Sequence, residues 1–129
     1  MTNSHQQPLF VCYARCSTCA KARTWLQEHH IDVHERDIKG DNPTYEELKT
    51  WLRLSGLPIK RFFNTSGMSY RQLDADHRPD ALSEDEALRL LAKDGMLVKR
   101  PILVDGDHVL VGFHLSDWEG YLNAQTNRK

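Results

Sequence analysis

Apolar residues fill positions 9–13 without a break and stop at Ala14-Arg15. A short continuous run of this kind is the pattern of a strand buried on both faces of a partly parallel sheet. From about 17 to 30 the spacing becomes helical. Cys19, Ala22 and Leu26 share one face with Trp25 beside them, and Lys21, Arg23, Gln27 and Glu28 take the other. Residues 31–37 alternate, with Ile31, Val33 and Glu35 on one side, and predict a second strand. A turn cluster at 39–43 then leads through Asn42-Pro43-Thr44, with Glu46 and Glu47 following, into a helix whose apolar stripe is Tyr45, Leu48, Trp51, Leu52 and Leu54.

Gly56 and Gly67 read as turn glycines. Residues 57–63 predict a short turn or helical piece, 69–73 a short helix, and 74–81 a polar connection. Ser83, three residues before Glu86, forms a capping box for a helix carrying Ala87, Leu88, Leu90 and Leu91. Residues 96–104 run into a third strand, Asp105-Gly106-Asp107 makes a hairpin turn, 108–112 return as a fourth strand, and 115–123 form a last helix packing Leu115, Trp118, Tyr121 and Leu122. The order is β-α-β, helical insertion, β-β-α. It predicts an α/β, thioredoxin-like fold with a four-stranded mixed sheet. One domain is expected over 9–124, with the insertion at about 43–95, a disordered tail at 1–8 and a tail at 125–129.

Composition adds exclusions. The chain has 129 residues, 40% of them hydrophobic and 27% charged, which suits one soluble core. A net charge of −1 argues against a surface that tracks nucleic-acid phosphates. No apolar run approaches the ~20 residues of a membrane span, and residues 1–8 carry no export signal, so a cytoplasmic setting with no membrane partner is expected. There, three cysteines with two in a C-x-x-C point to redox or metal chemistry rather than a disulfide framework.

The chemistry concentrates at Cys16-Ser17-Thr18-Cys19, where a strand delivers two thiols to the start of a helix. Unpaired N–H groups and the positive end of the helix dipole favour a thiolate there. Ser17 and Thr18 are read as capping the helix and lending N–H groups to an anion. Cys12 shares a cluster-like spacing with the pair, but its place inside a buried strand makes it a core thiol. His29, His30 and His34 fall at the far end of the helix and in the second strand. They read as surface or satisfied histidines, and no metal is expected. Trp25, Trp51 and Trp118 read as core or groove residues.

The stretches YARCSTCAKARTWL, LPIKRFFNTSGMSYRQL, SEDEALRLLAKDGMLVKRPILVDG and VLVGF together resemble the arsenate reductase (ArsC) family over about residues 9–122. The similarity is to its C-x-x-C branch, which includes Spx-type redox-sensing regulators. It implies that Pro101 is cis and lies against the active-site cysteine, that Cys16 is the nucleophile and that Cys19 resolves its adduct. Of the three arginines that hold oxyanion in arsenate reductases, Arg100 is present; Lys60, beside Arg61, stands at the first position and Gly112 near the third. Arg15, Ser17, Thr18, Lys60, Arg61 and Pro101 are thus the candidate anion-binding set beside Cys16, Cys19 and Arg100. The implied activity is a cytoplasmic thiol–disulfide oxidoreductase acting on a small oxyanion or disulfide. It needs no bound cofactor and takes electrons from glutathione, glutaredoxin or thioredoxin. The alternative is an Spx-like, non-enzymatic regulator that binds the RNA polymerase α subunit through a face including residues 49–58.

Overall fold

A computed structural model describes residues 7–126; the tail expected at 1–8 lies mostly outside the described residues, as do 127–129. Four short strands, β1 (Leu9–Cys12), β2 (His34–Asp37), β3 (Ile102–Asp105) and β4 (His108–Val111), form one sheet in the order β2-β1-β3-β4. β1 runs parallel to β2, with Phe10 opposite Glu35 and Val11 opposite Arg36. It runs antiparallel to β3, which pairs antiparallel with β4. This is the mixed thioredoxin-like sheet that the sequence predicts.

Alternation along β1 divides the core in two. Phe10 and Cys12 face α1 (Ser17–Glu28) and the last helix, packing with Cys19, Ala22, Trp25, Leu26, Trp118 and Tyr121. Val11 faces the insertion, where Leu48, Trp51 and Leu52 of α2 (Tyr45–Ser55) meet Leu88 and Leu91 of the helix Glu84–Lys93. Between those two helices lie a 3-10 turn at Ile59–Phe62, the four-residue α3 (Met68–Arg71) and two further 3-10 turns. The helix Glu84–Lys93 is α4, and α5 is Leu115–Thr126. Thr44 with Glu47 and Ser83 with Glu86 close reciprocal capping boxes at the starts of α2 and α4, and Gly56 ends α2 in the left-handed conformation at φ 71°. Among the described residues no helix is long and apolar enough to cross a membrane.

Several predicted boundaries move, each for a visible reason. α1 stops at Glu28 because His30 turns to φ 57° and the Ile31 N–H folds back onto the Leu26 carbonyl at 2.9 Å. β2 is only four residues long, and Ile31 and Val33 pack on the α1-side core as its lead-in. The stretch 74–81 is not plain connection, since Pro79 is buried and the Arg78 guanidinium lies 5.2 Å from the Tyr70 ring centre. α5 extends beyond the expected end at 123. Its last turns are held by the hairpin acid Asp105, which accepts hydrogen bonds from Tyr121 at 2.8 Å and Gln125 at 2.6 Å.

Candidate active site

The turn after β1 and the first turn of α1 bring the two thiols together. Cys16 is the N-cap residue, in extended conformation, and its N–H donates back to the Tyr13 carbonyl at 3.1 Å. Ser17 and Thr18 are the first two helical residues, both exposed. They do not cap the helix as expected, because Cys16 takes that position and no side-chain cap closes there. Cys16 is partly exposed, whereas Cys19, one turn on, is completely buried, and all three cysteines are free thiols.

The thiols differ in proton affinity for physical reasons. Burial pushes the Cys16 pKa up, but the Cys19 N–H, the Cys19 thiol, the Thr18 N–H and the Arg100 charge together outweigh it, so the net shift is downward. Burial pushes Cys19 up to about 12. The Tyr13 N–H, donating to its sulfur at 3.4 Å, opposes this, while donation to Cys16 and the charges of Cys16 and Cys12 reinforce it. One thiol is prepared to ionise and the other to stay protonated while its neighbour is charged.

Arg100 sits beside the pair on the loop before β3, and its peptide bond to Pro101 is cis, as the family resemblance implies. Its guanidinium lies 5.3 Å from the Tyr13 ring centre and donates weakly to the Met96 carbonyl at 3.4 Å. Its Nε is buried with no hydrogen-bond partner. The charge of the guanidinium, rather than this buried donor, is what reaches Cys16. Arg15 is exposed on the turn before α1. Lys60 and Arg61 belong to a different wall: they line a groove with Lys99 and His114, and Lys60 stands 3.6 Å from Asp80.

Reading the sequence alone missed what surrounds Cys12. Its thiol donates to Glu35 at 3.4 Å and accepts from Arg23 at 3.5 Å, while Arg23 and Glu35 form an ion pair at 3.0 Å. Burial first, and then the bond to Glu35, raise its pKa to about 11. Cys12 is therefore a protonated core thiol tied to an ion pair. The signal available in the sequence was that Arg23 follows Cys19 by four residues, one turn along the same side of α1, although its charge groups it with the polar face. Among the described residues no group of three or more His, Cys, Asp or Glu side chains is placed to share a metal ion.

A two-thiol helix start and a cis-proline loop on a four-stranded mixed sheet define a thioredoxin-like architecture. The profile of the ArsC family matches residues 12–121, and the chain belongs to that family. It is 49% identical to the uncharacterised protein YusI of Bacillus subtilis over 85% of this chain and 93% of that one. It is 31% identical to the global transcriptional regulator Spx 2 of Bacillus cereus over 84% of this chain and 82% of that one. Among solved structures, an ArsC-family-related protein from Bacteroides fragilis superposes with a TM-score of 0.84 at 50% identity, covering 89% of this chain and 98% of that one.

Proposed function

We propose that the chain is a cytoplasmic thiol–disulfide oxidoreductase in which Cys16 is the nucleophile and Cys19 the resolving thiol. The observation that carries this reading is the placement of the pair, Cys16 partly exposed at the N-cap of α1 and Cys19 fully buried one turn on, where burial holds Cys19 protonated while neighbouring N–H groups and Arg100 favour the Cys16 thiolate. The Cys16 thiolate attacks one sulfur of a disulfide substrate. A Cys16–substrate bond forms, the substrate's own S–S bond breaks, and the released thiolate leaves with the electron pair. Loss of the negative charge on Cys16 removes two of the effects that hold the Cys19 proton. Cys19 then ionises more easily and displaces the second substrate thiol, leaving a Cys16–Cys19 disulfide. An external thiol such as glutathione, glutaredoxin or thioredoxin restores the dithiol.

Arg100 stabilises the Cys16 thiolate through its charge, and the exposed first turn (Ser17, Thr18) with Arg15 supplies further polar contacts. Arsenate is a weaker substrate candidate than a disulfide. Lysine at position 60 keeps a charge but loses the bidentate fork, and Gly112 contributes no side chain.

The test is turnover. With a small disulfide substrate and glutaredoxin or thioredoxin as reductant, Cys16→Ser is expected to abolish turnover, and Cys19→Ser to stop it at a mixed disulfide visible by mass. Full turnover by Cys16→Ser would refute the assignment. A second reading, a redox-switched regulator that binds the RNA polymerase α subunit, is supported by the Spx relative and by a cavity of about 530 Å³ on the outer side of α2, lined by Lys49, Arg53 and Leu57 among others. Capture of the α subunit only after oxidation would favour it.

A further inference from the structure

A groove of about 610 Å³ is lined by Lys99, the residue that leads into the Arg100–Pro101 turn. Its walls carry three permanent cations, Lys60, Arg61 and Lys99, together with His114, against the single acid Asp117. Lys99 and Arg61 make no ion pair among the described residues, and the contact of Lys60 with Asp80 joins side chains 57% and 82% exposed, which holds it weakly. The groove therefore keeps a net positive surface.

Gly112 makes room for it. At φ 77° it carries no side chain, and a Cβ placed there would stand 3.1 Å from Cε of Lys99 and 3.3 Å from Nε2 of His114. The lysine stem and the imidazole thus close over the space that a side chain at 112 would fill. The backbone beneath is fixed, with Lys99 N–H donating to Phe62 at 2.8 Å and Gly112 N–H to Pro101 at 2.8 Å. Lys99 adjoins Arg100, whose charge Cys16 feels. Resting on the oxidoreductase reading above, we propose that Lys99 and His114 bind the carboxylates of a peptide-sized disulfide while Cys16 attacks its sulfur. The volume supports that class: grooves of about 300–1,000 Å³ suit ligands of many atoms, whereas a bare tetrahedral oxyanion would leave most of this one empty.

The reaction forms the Cys16–substrate disulfide and releases the second half of the substrate as a thiolate, so no further oxidant is required. The test follows formation of that adduct by mass in the full chain carrying Cys19→Ser, which traps it. Two probes are compared, oxidised glutathione, which bears carboxylates, and neutral bis(2-hydroxyethyl) disulfide. Adding Lys99→Gln with His114→Gln is expected to lower the ratio of charged-probe to neutral-probe rates about tenfold. Arg61→Gln is expected to lower it by a smaller factor, and Lys39→Gln, an equal charge change on an exposed turn elsewhere, to leave it unchanged. An unaltered ratio in the double variant, or an equal fall with Lys39→Gln, overturns the groove while leaving the redox site standing. If Cys16 reacts with neither probe before any groove residue is changed, both the oxidoreductase reading and the groove fall.

Discussion

Removing the Cys19 thiol puts the electrostatic asymmetry of the pair to a quantitative test. In Cys19→Ala the thiol donor to Cys16 disappears, while the Thr18 and Cys19 N–H groups and Arg100 remain. A hydrogen bond to a charged acceptor contributes about 1.5–3 kcal/mol, and a thiol is a weak donor, which selects the lower end. About 1.4 kcal/mol is a factor of about ten in thiolate population below the titration. The more basic thiolate is also the better nucleophile, with a Brønsted slope of about 0.4–0.5, and recovers about threefold. The variant should therefore react about three- to fourfold more slowly than the parent at acid pH. It should react about threefold faster where both are fully ionised, so the two profiles cross. Initial rates with the neutral chromogenic disulfide 2,2′-dithiodipyridine across the titration read this directly. Coincident or parallel profiles would refute the role of Cys19 as donor to the Cys16 thiolate.

Two further outcomes concern stability. The Arg36 guanidinium, bonded to Glu47 at 2.6 and 2.8 Å, is the main cause holding that carboxyl at about 2 instead of the ordinary 4.5. Because the folded value lies below the unfolded one, this stabilisation is complete above about pH 4.5 and is lost as the pH falls toward about 2. The interval corresponds to about 3 kcal/mol, reduced to about 1–2 kcal/mol by screening because the Glu47 side chain is 35% exposed. Glu47→Gln should lose that amount at neutral pH and show a flatter acid limb in Tm against pH; an acid limb as steep as the parent's would count against it. Trp118 is fully buried, donates to the Gly112 carbonyl at 3.0 Å and meets Phe10, Trp25 and Phe113 edge-on. Trp118→Ala should cost about 3–5 kcal/mol in urea unfolding, and a loss below about 1 kcal/mol would contradict its place in the core.

Much of this molecule was legible from local chemistry. The Leu9–Cys12 run, the C-x-x-C at a helix start, the boxes at Thr44 and Ser83 and the Asp105-Gly106 turn each carry their signal within a few residues, and the element order follows from them. Interactions across long stretches of sequence left no such mark. The Arg23–Glu35 pair around Cys12 joins a helix face to a strand that hydrophobic alternation placed too early. The approach of Lys99 and His114 over Gly112 depends on a pairing between the loop before β3 and the end of β4. Lys60 and Arg61 carry no local signal of their own, and their company with Lys99 and His114 on one groove wall shows only in the fold.

The composition of β2 has a consequence for the behaviour of the whole molecule in a crowded solution. His34, Glu35, Arg36 and Asp37 form an outer strand with no apolar residue, held on one side by the Arg23–Glu35 pair and on the other by Arg36 with Glu47. An open strand edge is ordinarily a template on which another chain can add. Here an incoming strand would meet charges of both signs and no apolar stripe to fix its register. The same ion pairs that fasten β2 to the helices on the two faces of the sheet thereby guard this edge against strand addition.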